Sequence, residues 1–289
     1  MSYNSVFRPD LFHDQIAIVT GGGSGIGRCI AHELASLGAT VIVSGRTLDK
    51  LEVVEAEIRE DGGRAEAIIC NIRKEDEVAS LYDQVLERHG RVDHVVNNAG
   101  GQFLAFPEAI SLKGWNAVIE TNLTGTFMMC QAAYKKWMSQ NGGNIVNIVA
   151  DFWRGMPHMA HTSAARAGVA NLTMSLSLSW CKNGMRINSV APGIIESSGL
   201  KNYPPPVIEM LQGMKTEIPA KRLGTESEVS SIVMFLLSPG AAYLSGQTIA
   251  VDGGASLYRQ MMGIPDHESI PAYEGFHRAA DVPDLLSGE

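Results

Sequence analysis

Residues Thr20-Gly21-Gly22-Gly23-Ser24-Gly25-Ile26-Gly27 follow a short apolar run, Ile16–Thr20, and lead into helical periodicity from about Gly25 to Leu37. That junction leaves few folds open. Glycine adopts backbone angles that a Cβ forbids, so the chain can turn sharply from strand to helix and let a ligand approach the backbone. The first N–H groups of a helix lack partners within it, and its dipole is positive there, so a pyrophosphate is the natural occupant. A glycine-rich run alone also makes ordinary turns. Placed between a strand and a helix, this one points to a dinucleotide, with Gly21, Gly23, Ser24, Gly25, Ile26 and Gly27 as candidate binding residues.

The rest of the chain repeats the strand–helix unit. Strand-like runs at Thr40–Ser44, Ala65–Cys70, Val92–Asn97, Asn144–Val149, Arg186–Val190 and Gln247–Val251 alternate with helical patterns. Those patterns cover Leu48–Glu60, Glu75–Arg88, roughly Leu112–Gln140, Thr162–Lys182 and Glu226–Leu237. Continuous apolar runs such as Ile145-Val146-Asn147-Ile148-Val149 suit strands covered on both faces. The expectation is one α/β domain over residues 15–254, a doubly wound parallel sheet of about seven strands with helices on both faces. Ligand then sits at the carboxyl ends of the strands. Residues 1–14 form an N-terminal extension and 255–289 a tail, read either as partly ordered or as an arm onto a neighbouring subunit. The stretch of about 196–220, with Tyr203-Pro204-Pro205-Pro206, interrupts the last crossover and reads as a substrate loop.

Charge and composition exclude several classes. A net charge of −8 with no basic run argues against a nucleic-acid surface. Cys29, Cys70, Cys130 and Cys181 form no metal or redox spacing, and no metal site is expected. No apolar run reaches membrane-spanning length, Met1 to Asp14 lacks a signal-peptide core, and Leu286-Ser287-Gly288-Glu289 is not a peroxisomal tripeptide. The expectation is a soluble, cytoplasmic protein with no membrane or nucleic-acid partner.

The second strand runs into Val43-Ser44-Gly45-Arg46-Thr47. A site for the unphosphorylated dinucleotide usually carries Asp or Glu there. A guanidinium instead holds a 2′-phosphate, so Arg46 favours NADP(H). The plainer reading of Arg46 is a solvated loop charge.

The pattern T-G-x-x-x-G-x-G at Thr20–Gly27, Asn97-Asn98-Ala99-Gly100, Asn122 within Thr121–Gly125, and Pro192-Gly193 resemble the short-chain dehydrogenase/reductase family. The matches span about Gln15 to Gly254. A narrower set is similar to the peroxisomal trans-2-enoyl-CoA reductases and their bacterial relatives. It comprises Asn98–Leu104, Lys113–Val118, Glu120–Phe127, Ala164–Val169, Ser256-Leu257-Tyr258 and Pro265-Asp266-His267. The resemblance implies a Rossmann-type fold, NADPH-dependent reduction of the 2,3 double bond of an enoyl-CoA thioester, and a homotetramer. It assigns Asn71, Asn98, Ala99, Gly100, Arg166, Pro192, Gly193 and Ile195 to the cofactor and Asn122 to a helix kink.

The chain departs from most of the family at the catalytic Tyr-x-x-x-Lys, where it has Thr162 and Arg166, and near the catalytic Ser, where it has Asp151-Phe152-Trp153. The usual Tyr protonates a carbonyl oxygen that becomes a strongly basic alkoxide, so its loss penalises ketone reduction. Hydride addition to an enoyl thioester produces an enolate, which hydrogen-bond donors can stabilise. Thr162 and Arg166 share one helix face, and Arg166 is a fixed cation rather than a tunable acid. Thr162 reads either as a donor to the thioester oxygen or as a helix N-cap. Histidine moves protons near neutral pH, which makes His161 a candidate, with His158 and Asp151 behind it. Asn122, Thr162, Arg166 and His161 are thus the catalytic set. Alternatives are a 2,4-dienoyl-CoA or 3-oxoacyl reductase, or an NADP-binding pseudoenzyme.

Overall fold

Alternate residues of the first strand, β1 (Ile16–Thr20), serve opposite faces of a sheet. Ala17 and Val19 join one buried apolar cluster, while Ile16 and Ile18 join another. The computed structural model describes residues 2–198, 200, 205–258 and 263–279. Along it follow α1 (Gly25–Ser36), β2 (Thr40–Gly45), α2 (Leu48–Glu60), β3 (Arg64–Ile69), α3 (Glu75–His89) and β4 (His94–Asn97). A long helical stretch comes next: α4 (Leu112–Ile119), a π-helical turn (Glu120–Thr124), α5 (Gly125–Ala133), a second π-helical turn (Tyr134–Met138) and α6 (Ser139–Asn141). Then come β5 (Gly143–Ile148), α7 (Ala160–Trp180), β6 (Met185–Pro192), β7 (Ile195–Glu196), α8 (Pro205–Met214), β8 (Gly224–Thr225), α9 (Glu226–Leu237) and β9 (Thr248–Val251).

Seven strands form one parallel sheet in the order β3-β2-β1-β4-β5-β6-β9, with β7 and β8 paired separately. Strand order reverses between β1 and β4, which opens a crevice at their carboxyl ends. Ile30 and Leu34 of α1, Val54 of α2 and Val233 of α9 cover one face. Tyr82 of α3, Met129 of α5 and Leu176 of α7 cover the other. The doubly wound single domain expected from the strand–helix rhythm is the architecture found. Strand β6 reaches Pro192, past the expected Val190, because β9 pairs with it from Ser189 to Pro192.

The insertion holds α8 and an apolar cluster of Leu200, Ile208, Ile218, Ala220 and Leu223. Tyr203 and Pro204 of its proline run, with residues 199, 201 and 202, lie outside the described residues. Residues 263–279 pack on their own chain. Phe276 is buried, Arg28 Nη1 donates to the Arg278 carbonyl at 2.7 Å, and Arg278 pairs with Asp61 at 2.8 Å. The N-terminal extension meets this segment, where Asn4 N donates to Gly275 O at 2.9 Å and Tyr273 Oη to Asn4 O at 2.7 Å. The rest of the tail, including Leu286–Glu289, lies outside the described residues. Among the described residues no helix is long and apolar enough to cross a membrane.

Candidate active site

Thr20 ties the crevice together at the switch point. Its Oγ1 donates to Val96 O (3.3 Å) and accepts from the N–H groups of Asn98 (3.1 Å) and Ala99 (3.0 Å). Asn98 Nδ2 donates to Thr20 O at 3.0 Å and Gly21 O at 3.3 Å, so its side chain braces the glycine turn. Gly21 has φ 65°, a left-handed conformation that favours glycine. Gly27 stands behind the turn, where a Cβ would lie 2.4 Å from both Gly21 O and Asn98 Nδ2. Its missing side chain lets α1 close onto the turn.

These elements border a cleft of about 530 Å³. Gly21, Gly23, Ser24, Gly25, Ile26, Arg46, Asn71, Asn98, Ala99, Gly100, Arg166, Pro192 and Gly193 all line it. Gly27 and Ile195 do not; Ile195 is buried in β7. Lys50 and Arg73 add positive charge to the wall, though Arg73 Nε is held by Glu120 at 3.1 Å. Arg46 is exposed and has no ion pair among the described residues, and Ser44 Oγ beside it is buried without a partner. A glycine cradle, an unpaired cation and an orphaned hydroxyl fit a phosphorylated dinucleotide, and these residues would hold it.

Arg166 and Asn122 meet over Gly100. A Cβ on Gly100 would lie 2.4 Å from Arg166 Nη2 and 2.7 Å from Asn122 Oδ1. Asn122 sits in the π-helical turn, where its Nδ2 donates to Val118 O (2.9 Å) and Gly101 O (2.7 Å) and its Oδ1 accepts from Gly101 N (3.2 Å). The side chain thereby satisfies carbonyl oxygens where the helix widens. Arg166 Nη1 donates to Ile148 O at 2.7 Å, and its Nε is buried with no partner. Burial without a neighbouring acid pulls the guanidinium down to about 10, and it stays charged at neutral pH.

Thr162 and His161 lie deeper. Both are buried and neither lines the cleft. His161 Nδ1 accepts from Thr162 N at 2.9 Å, which places the ring proton on Nε2, itself buried and unpartnered. Thr162 Oγ1 is 3.4 Å from the same Nδ1, and the His161 ring meets Phe103 edge-on at 4.3 Å. Helix α7 begins at Ala160 with Met159 at its N-cap, so the N-cap reading of Thr162 fails.

A carboxyl group lies just past the cleft lining: Ala150 borders the cleft, and the next residue, Asp151, does not. Asp151 N donates to Pro192 O at 3.3 Å, and Asp151 Oδ1 is buried without a partner. Burial raises its pKa from the ordinary aspartate value, and the nearby charge of Asp252 raises it further. Asp252 follows β9, accepts from Gly254 N (2.9 Å) and Ser256 N (2.8 Å), and abuts Gly193, where a Cβ would meet its Cα at 2.9 Å. Neither Asp252 nor Ser44 is among the site residues read from sequence. The one local sign of Asp252 is an acid at the carboxyl end of the last strand.

Fold and site together define a nicotinamide-dependent oxidoreductase built on a switch-point cleft. The family described as enoyl-(acyl carrier protein) reductase matches residues 21–256, and the chain belongs to this group of the short-chain dehydrogenase/reductase family. Two relatives are a peroxisomal 2,4-dienoyl-CoA reductase, (3E)-enoyl-CoA-producing, of Danio rerio and a probable 2,4-dienoyl-CoA reductase, (2E)-enoyl-CoA-producing, of Bacillus subtilis (strain 168). The first is 35% identical, covering 88% of this chain and 86% of the relative. The second is 36% identical, covering 82% and 94%. A solved structure, the citronellol catabolism dehydrogenase AtuB of Pseudomonas aeruginosa PAO1, is 47% identical with a TM-score of 0.80, covering 88% of this chain and all of that one.

Proposed function

We propose that this protein is an NADPH-dependent reductase of a conjugated acyl-CoA thioester, with a 2,4-dienoyl-CoA as the first substrate and a trans-2-enoyl-CoA as the second. The observation that carries this reading is Arg166: a buried, permanently charged group occupies the place of a tunable pair, beside Asn122 and over Gly100. Such a group stabilises negative charge and, unlike the usual Tyr, does not itself hand a proton to an alkoxide. The names of the two dienoyl-CoA reductases favour the longer conjugated system.

Bound at the glycine turn, NADPH supplies the hydride. Arg46 holds the 2′-phosphate, and Arg166 grips the cofactor from the Gly100 side while its charge favours an enolate. Asp151 is the proton source: its raised pKa keeps a larger share of it protonated than an ordinary carboxyl. With hydride added to C5 of a dienoyl thioester, a proton from Asp151 to C2 leaves a 3-enoyl product and restores the thioester carbonyl. Thr162 and His161 act behind the site by packing. The same reading keeps the homotetramer as the assembly and a reduced aqueous compartment as the setting.

The test is cofactor consumption by purified protein with 2,4-dienoyl-, trans-2-enoyl- and 3-oxoacyl-CoA, using NADPH and NADH in parallel. A methyl-branched chain belongs in the panel because of the relative named for citronellol catabolism. Turnover on the conjugated thioesters with a preference for NADPH is expected. Cofactor binding with no turnover on any of the three would end the enzyme reading in favour of a pseudoenzyme.

A further inference from the structure

Glu226 opens α9 as a carboxyl group that is almost fully buried, and its Oε1 has no hydrogen-bond partner. It packs against the start of α1 just behind the cleft lining, which it does not itself join. A Cβ on Gly25 would stand 3.8 Å from Glu226 Oε1, 3.8 Å from Ser198 Oγ and 3.9 Å from Ser197 Cβ. Gly25 is the first residue of α1, whose unpaired N–H groups form the anion end of the cleft, and Ser197 also lines that cleft. Resting on the dinucleotide reading of the cleft, we infer that Glu226 belongs to the pyrophosphate site and takes up a proton from solvent when the cofactor binds.

The reasoning is electrostatic. A buried carboxylate facing a pyrophosphate sets like charges together in a medium that screens them poorly, whereas the protonated acid donates a hydrogen bond to a phosphate oxygen. In the free protein Glu226 is already poised for this. Burial pushes its pKa up to about 7, against the opposing pull of Arg28 and of the Ser198 backbone N–H. An anion arriving beside it raises the value further. The other ionisable groups on the packed elements are committed. On α1, Cys29 is buried with its pKa well above the usual range, His32 is pulled down to about 4 by burial and meets Glu57 at 3.2 Å, and Glu33 accepts from Ser230 (2.5 Å) and Ser5 (2.7 Å). On α9 itself Glu228 pairs with Arg222 at 2.6 Å. On the C-terminal segment Tyr273 is raised to about 12 and His277 pairs with Asp61 at 2.8 Å.

Titration calorimetry of the full chain with NADPH at pH 8, in two buffers of different ionisation enthalpy, counts the protons exchanged. At that pH the 2′-phosphate is fully ionised, its second pKa lying near about 6. Uptake approaching one proton per site is expected, and between pH 7 and 9 the Kd should rise by up to about tenfold per pH unit. Glu226→Gln should abolish the uptake and flatten the profile. Tight binding with no proton uptake by the wild-type protein would overturn the inference alone, even if the variant failed to fold. So would uptake that survives E226Q and disappears in Glu33→Gln. Failure to bind either NADPH or NADH would overturn the dinucleotide reading and the inference with it.

Discussion

Arg166→Met separates a binding role from a structural one. Burial pulls the guanidinium from its ordinary 12.5 to about 10. At about 1.4 kcal/mol per tenfold in proton affinity, that is roughly 3 kcal/mol against the folded state at neutral pH. The charge-assisted hydrogen bond from Nη1 to Ile148 O returns about 1.5–3 kcal/mol. Methionine removes both terms and keeps most of the side-chain length, so stability should change by no more than about 1.5 kcal/mol. The cofactor, by contrast, loses charge-assisted hydrogen bonds of about 1.5–3 kcal/mol, or roughly 10- to 150-fold in Kd. Urea unfolding and an NADPH fluorescence titration on the same preparation measure the two quantities. A protein destabilised by several kcal/mol that still binds NADPH as the wild type does would refute the reasoning and make Arg166 a structural prop.

Gly100→Ala introduces a methyl group 2.4 Å from Arg166 Nη2 and 2.7 Å from Asn122 Oδ1. It should destabilise by about 1–3 kcal/mol and slow turnover at least tenfold, read by thermal unfolding and steady-state kinetics. Asp151→Asn removes the carboxylic acid proposed to protonate C2. In the wild type, activity depends on the protonated carboxyl, so kcat should be highest below its raised pKa and fall as pH rises through it. D151N should lower kcat and abolish that limb, and an unchanged pH profile would remove Asp151 from the chemistry.

The fold was legible because its signals are local. Glycines at the first strand–helix junction, apolar runs at β5 and β6, and helical periodicity between them each declare themselves within a few residues. Asn122 was legible through resemblance, and the structure supplies its reason in the π-helical turn. Gly27 shows the limit of reading glycine: a glycine that admits a ligand and one that admits a neighbouring helix look alike in sequence. Thr162 reads from sequence as a donor to the thioester oxygen or as a cap, and the cap reading fails because a helix start can be misplaced by two residues. The encounters of Glu226 with Gly25 and of Asp151 with Asp252 join segments far apart in the chain, and only tertiary packing makes them. The C-terminal segment's return onto α1 and the N-terminal extension is of the same kind.

The central claim is that the site makes an enolate and not an alkoxide. Reduction of a 2,4-dienoyl-CoA with NADPH deuterated on its transferable hydrogen, followed by mass spectrometry and NMR of the product, tests this directly. Deuterium at C5, with a solvent-derived hydrogen at C2, is the predicted outcome. Deuterium on an oxygen-bearing carbon of a 3-oxoacyl substrate, with the dienoyl thioester left untouched, would contradict it.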